Sequence, residues 1–273
     1  MRKLKLVNDT GQDFLFGYRS GVLVSSISDI GFTRELTYAD FGDSYKKTKE
    51  KNPTQTITFT LTFLKGYQGF RDFVSFMESS KSFLLYYYTV DWRYCHCEIE
   101  SLSKTQLSRG VLECTLSIKR LSYWFRDVTG SISISIDGEA KTYPYSYSYR
   151  YGASVSGRIS VTNGGYAKAP LRILISGAFD HPEIICYRDG VEEARMKINY
   201  KSSDAILEVD AFPLDQKIEI TEDGKTMNAY EYQDFGVDNF LFLDRGTHTL
   251  EFRPNVATPP SCTITMREGY LGD

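Results

Sequence analysis

From Thr54 to Phe63 the sequence reads TQTITFTLTF, with Ile57, Phe59, Leu61 and Phe63 at every second position and Thr56, Thr58, Thr60 and Thr62 between them. Side chains of an extended chain alternate between two faces, so this period fits a half-buried strand and does not fit a helix. Such a strand must pair with others and lay its apolar face on a core. A second stretch obeys the same rule, with Leu112, Cys114, Leu116 and Ile118 alternating against Glu113, Thr115 and Ser117. Between the two, KSFLLYYYTV (Lys81 to Val90) is a continuous apolar and aromatic run, expected as a strand buried on both faces. Aromatic residues make up 14% of the chain, and flat rings pack well on a pleated surface, so the composition agrees with a mainly β fold.

One segment breaks the period. In GYQGFRDFVSFMESS, Phe70, Phe73, Val74 and Met77 fall at i, i+3, i+4 and i+7, which gathers them on one side of a helix with Phe76 off the stripe. A short amphipathic helix packed on a sheet is expected there. Another segment carries no core face at all: GFTRELTYADFGDSYKKTKEKNP, between Ile30 and Pro53, mixes charged and aromatic residues. Loops of more than about fifteen residues are uncommon and tend to be functional. The segment is expected to project as a hairpin or arm that turns near Phe41-Gly42-Asp43, and Phe32, Arg34, Tyr38, Phe41 and Tyr45 are its candidate contact residues.

After Phe125 the composition shifts, and RDVTGS is expected as a linker between two domains, residues 1–128 and 129–273. Beyond it, Asp137-Gly138, Asn163-Gly164-Gly165, Asp189-Gly190 and Asp223-Gly224 are turn signals, because Asn, Asp and Gly tolerate the positive φ of tight hairpins. They lie among short strand candidates at Leu171–Ser176, Ile206–Ala211, Lys217–Ile220, Asn239–Asp244 and Thr249–Arg253, a spacing that indicates an antiparallel sandwich.

Chemistry is sparsely marked. Three histidines, His96, His181 and His248, are scattered, and no G-x-S-x-G, H-E-x-x-H or phosphate-binding glycine loop occurs, so the chain is not expected to be an enzyme. Cys95-His96-Cys97 resembles a metal cluster, but on a strand the two thiols share one face while the imidazole points away. The three therefore cannot converge on one ion, and buried thiols acting as small apolar groups are expected, with no metal and no cofactor. Five cysteines, an odd number, fit reduced thiols better than a disulfide framework. The alternating Tyr143, Tyr145, Tyr147, Tyr149 and Tyr151 would set five phenols on one strand face, either as cover for a core edge or subunit contact or as a platform for stacking sugar rings. The second possibility supports an alternative function, a carbohydrate-binding module or adhesin-like protein.

A net charge of −3, with KKTKEK as the nearest thing to a basic patch, offers no concentrated positive surface for nucleic acid. No apolar stretch approaches the eighteen or so residues that cross a bilayer. The opening MRKLKLVNDTGQDF has charges but no apolar segment behind them, so no signal peptide and synthesis in a cytoplasm are expected.

The order of these pieces resembles the distal tail protein (Dit) family of long-tailed bacteriophages. The opening strand KLKLVNDTGQDFLF, the arm, the alternating QTITFTLTF, the helix GFRDFVSFM, the FLLYYYTVDWRYCHCEI region and the closing GVLECTLSIKRLSYWF follow the family's amino-terminal domain. APLRILISGAFDHPEI, AILEVDAFPLDQKIEI, EDGKTMNAYEY and NFLFLDRGTHTLEFRP follow its second domain, and TITMREGYLGD is similar to its short closing tail. The resemblance implies an amino-terminal β-sandwich or barrel-like domain with one short helix and an extended arm, followed by a galectin-like, jelly-roll-type sandwich. It also implies a structural virion component at the tail tip: a hexameric ring between the major tail tube protein and the tail-associated hub or lysin protein. It carries no catalytic residue, nucleic-acid contact or membrane contact with it.

Overall fold

In a computed structural model, residues 3–137 and 154–272 are described. The chain forms two compact units, Met1–Arg126 together with Tyr270–Asp273, and Asp127–Gly269.

The first unit runs β1 (Lys3–Asn8), β2 (Asp13–Leu15), β3 (Val22–Ser28), β4 (Glu35–Asp40), β5 (Tyr45–Lys51), β6 (Gln55–Phe63), α1 (Gly66–Glu78), β7 (Phe83–Tyr88), β8 (Trp92–Leu102), β9 (Leu112–Arg120) and the start of β10 (Trp124–Ile132). Antiparallel pairing leads from β2 through β1, β7, β8, β9 and β6 to β3. An isolated bridge pairs Gly17, two residues past β2, with Val22 at the start of β3. β6 and β9 keep the expected alternation, with Ile57, Phe59, Leu61 and Phe63 facing Ile118, Leu116, Cys114 and Leu112 in direct register on the buried side. β7 differs from expectation. Phe83, Leu85 and Tyr87 are buried, but Leu84, Tyr86 and Tyr88 are only half-buried. Their face is covered by the Lys5 and Lys3 ammonium groups, 4.5 Å and 5.5 Å from the Tyr86 and Tyr88 rings, and not by a second core.

Helix α1 lays Phe73, fully buried, against Phe14 and Phe63 with ring centroids 4.9 Å and 5.8 Å away. Its buried line runs through Gly66, Gly69 and Phe73, one step round from the expected stripe, so Phe76 also packs inward, 5.7 Å from Phe83. Gly66 sets this approach. It has φ +53, and a Cβ there would lie 2.8 Å from Leu107 Cδ1 and 3.1 Å from the Gly110 oxygen.

RDVTGS, within which the first unit gives way to the second, is not irregular chain but the middle of β10. Arg267 holds Asp127 through two hydrogen bonds of 2.9 Å and 3.2 Å, and Thr129 meets Thr265 at 3.1 Å. Gly130 and Ser131 signal a loop locally, but Val128, Thr129 and Ile132 are β-branched and the sheet takes them.

The second unit continues through β11 (Ile134–Asp137), β12 (Ser154–Asn163), β13 (Ala169–Asp180), β14 (Glu183–Arg188), β15 (Val191–Lys197), β16 (Lys201–Asp210), β17 (Lys217–Glu222), β18 (Lys225–Asn228), β19 (Phe242–Leu243), β20 (Gly246–Arg253) and β21 (Ser261–Tyr270). One sheet has the order β18-β17-β16-β13-β21, the other β11-β12-β20-β14-β15. Their inner faces share a core, with Ile173, Ile175, Leu207 and Ile220 from the first and Ile184, Leu250 and Phe252 from the second. Asp189-Gly190 and Asp223-Gly224 form the hairpin turns expected of them, each with two positive φ angles. TITMREGYLGD is more than a tail: most of it is β21, paired with β13 from Ser261 opposite Ser176 to Met266 opposite Leu171. Only Tyr270 and the residues after it count with the first unit, where Tyr270 is buried.

Candidate assembly surface

The arm is a hairpin. β4 and β5 pair from Glu35 opposite Lys51 to Asp40 opposite Tyr45, and among the described residues neither strand pairs with any other. Gly42, at φ +86, turns the chain; Asp40 Oδ1 accepts the Gly42 N–H at 2.8 Å, and the Phe41 N–H donates to the Ser44 oxygen at 2.9 Å. Thr48 is an extra residue between Lys47 and Lys49, so β5 bulges and Lys47 comes opposite Tyr38 while Glu50 stays opposite Leu36. Directly opposed residues share a face. Leu36, Tyr38 and Tyr45 therefore stand together with Glu50, Lys47 and Asp40.

Almost none of this surface is covered. Phe32, just before β4, is 53% exposed, Leu36 42%, Tyr38 51%, Phe41 66% and Tyr45 71%. Arg34 lies 5.3 Å over the Phe32 ring and 3.2 Å from the Glu50 carboxylate, which Lys47 also meets. The hydrogen bond and charge of Lys47 hold the Glu50 carboxyl below its ordinary value. All five arm residues singled out in the sequence thus fall on or beside one hairpin. Leu36 was missed, although it stands two residues from Tyr38, the spacing that puts both on one strand face. The tyrosines Tyr143, Tyr145, Tyr147, Tyr149 and Tyr151 lie outside the described residues.

Cys95 and Cys97 are buried and His96 is exposed, as alternation requires. Cys114 is no partner for them. Cys97 stands opposite Arg120 on β9, six residues from Cys114, a distance of about 20 Å along a strand. All five cysteines are free and buried; burial lifts the Cys95 thiol well above its ordinary value and pushes Cys97 and Cys262 up to about 12. Such thiols are poor nucleophiles. A different group is compact enough for a metal: Cys186, Glu193 and His248, whose ligand atoms all lie within 4.8 Å of one another. No sequence spacing announces it, because its members sit on three strands. No helix among the described residues is long and apolar enough to cross a membrane.

Comparison with solved structures places this architecture in a class. Over 98% of both chains it is similar to a protein in the structure of the phage P2 baseplate in its activated conformation with Ca, at 15% identity and a TM-score of 0.64. Over 97% of this chain and 98% of the other it is similar to the Dit protein of phage SPP1, described as a paradigm of hub adsorption apparatus in Gram-positive infecting phages, at 14% identity and a TM-score of 0.64. The fold is that of β-rich structural proteins of phage tails and baseplates. Within that class, residues 3–121 match the family model of the distal tail protein, N-terminal domain, in agreement with the resemblance read from the order of the pieces over that part of the chain. No curated protein matches the sequence.

Proposed function

We propose that the protein is the subunit of a hexameric ring at the tip of a long phage tail, joining the major tail tube protein on one side to the tail-associated hub or lysin protein on the other. In this reading residues 1–128 form the ring, residues 129–273 are a galectin-like sandwich that projects from it, and the protein works in the virion without catalytic activity. The observation that carries it is the β4–β5 hairpin. A two-stranded ribbon alone is marginal in water, and among the described residues this one has both outer edges unpaired and, with Phe32 beside it, five large apolar side chains exposed. A neighbouring subunit supplies what is missing: a surface for Phe32, Leu36, Tyr38, Phe41 and Tyr45, and a strand edge. Aromatic residues dominate such contacts, while the charges of Arg34, Lys47 and Glu50 fix register.

Sedimentation of the full-length protein over a wide concentration range, alone and with the tail tube protein, tests this. The wild type is expected to assemble into a closed ring, and a variant lacking Thr33 to Asn52 to remain folded and monomeric. Tyr38→Ser with Phe41→Ser should weaken assembly in the same direction. A wild type that stays monomeric with the tube protein present, or a deletion variant that assembles equally well, rejects the reading.

A further inference from the structure

Cys186 on β14, Glu193 on β15 and His248 on β20 come from three neighbouring strands of one sheet. Cys186 stands opposite Leu250, so His248, two residues along β20, shares its face on the diagonal. Glu193 arrives by a different route. Cys186 opposes Ala194 and Tyr187 opposes Glu192, which leaves Glu193 as the extra residue of a bulge. Strict alternation would turn a neighbour of Ala194 to the other face; the bulge re-aims it. The result is a convergence: His248 Nδ1 lies 3.8 Å from Cys186 Sγ and 3.2 Å from Glu193 Oε2.

The imidazole is also oriented from behind. His248 Nε2 is 2.9 Å from the Asp244 carbonyl oxygen, which can only accept, so Nε2 carries a proton and donates it. In the neutral ring Nδ1 then points a lone pair at the carboxylate and the sulfur. Metal-bound histidines are held in this manner, by a carbonyl or carboxylate on the far nitrogen. Cys186 and His248 are buried, Glu193 is at the exposed rim, and Arg188 steadies its other oxygen at 3.8 Å. Three potential ligand atoms thus face one another at the edge of an apolar core, where either a shared proton or a cation can lie among them.

We propose that Cys186, Glu193 and His248 bind a borderline-soft divalent ion of the zinc class, with the fourth tetrahedral position open at the exposed side. With bonds of about 2.3 Å to sulfur and about 2.0–2.2 Å to nitrogen and oxygen, tetrahedral ligand atoms stand about 3.3–3.6 Å apart. The separations of 3.2 Å and 3.8 Å lie on either side of that range, and all three atoms are within 4.8 Å of one another, so a small closing movement completes the set. Calcium and magnesium are disfavoured because both take sets of oxygen ligands. On binding, the Cys186 S–H bond is replaced by a sulfur–metal bond, and the proton leaves to solvent.

The test uses full-length protein stripped with a chelator and then given zinc alone or cobalt(II) alone. Stoichiometric zinc by metal analysis and calorimetry is expected, with a higher Tm. Cobalt should give a tetrahedral spectrum with a thiolate charge-transfer band. Cys186→Ser should remove that band, and Glu193→Gln, a conservative change at the exposed bulge, should weaken zinc binding on the order of tenfold or more. Circular dichroism confirms that each variant is folded. The proposal is overturned if the wild type takes up no stoichiometric zinc, which would leave an imidazolium–carboxylate pair. It is also overturned if both variants keep the metal, or if Cys95→Ser is what loses it.

Discussion

Individual side chains show where each unit is most sensitive. Phe73 is fully buried among Phe14, Phe16, Phe63 and Phe76, so Phe73→Ala removes a ring from the centre of the first core. It should cost about 3–5 kcal/mol in urea unfolding. In the second unit Glu251 is buried, its carboxylate held by Arg253 Nε at 2.6 Å and Arg158 Nη2 at 2.6 Å. Burial by itself would raise its carboxyl, but hydrogen bonds and charge from the two arginines outweigh it and the net shift is downward. A carboxyl depressed on folding contributes stability above its unfolded value, about pH 4.3 for glutamate, and loses that contribution as pH falls through the folded value. The urea midpoint of the wild type should therefore drop more steeply below about pH 4.3 than that of Glu251→Gln. Parallel curves would show that the arginines contribute nothing through this group. Arg158 is largely exposed and screened by solvent, so Arg253 should account for most of the effect.

Among elements, the hairpin and β10 make opposite predictions for a protease. β4 and β5 are exposed along nearly their whole length and rich in lysine at Lys46, Lys47, Lys49 and Lys51. Trypsin should cut there first, and Arg126, inside β10, should be protected although it begins the stretch expected as a linker. Mass spectrometry of the first fragments decides; an early cut after Arg126 would contradict the strand. The same contrast separates what could be read locally from what could not. β6, β9 and α1 were legible because period and residue type agree. β10 and β15 were not, because Gly130 and the charged VEEARMK hide strands that exist only through their neighbours.

For the molecule as a whole, the first unit is completed by residues distant in sequence. Tyr270 is buried in its core with Arg93 4.0 Å over the ring, and Arg120, largely buried, donates to the Gly31 and Leu271 oxygens at 3.2 Å each. Removing Tyr270–Asp273 deletes a core ring and one acceptor for that guanidinium. The first unit should lose roughly 3 kcal/mol or more of stability. Both tryptophans of the chain, Trp92 and Trp124, lie in this unit, so tryptophan fluorescence reports its unfolding selectively. A truncated chain with an unchanged fluorescence midpoint would show that these residues are dispensable.

The sequence by itself determined the mainly β class, the short helix, the turns at Asp189-Gly190 and Asp223-Gly224, and the arm with its exposed aromatics. Each of these rests on periods of two or 3.6 residues, or on backbone preferences that act within a few positions. The tertiary structure alone decided that RDVTGS is a strand, that the closing segment is β21, and that Glu193 joins Cys186 and His248. Strand pairing and bulges are set by partners tens of residues away, and the free energy that selects them comes from burial and hydrogen bonding across the sheet, which no local stretch of sequence contains.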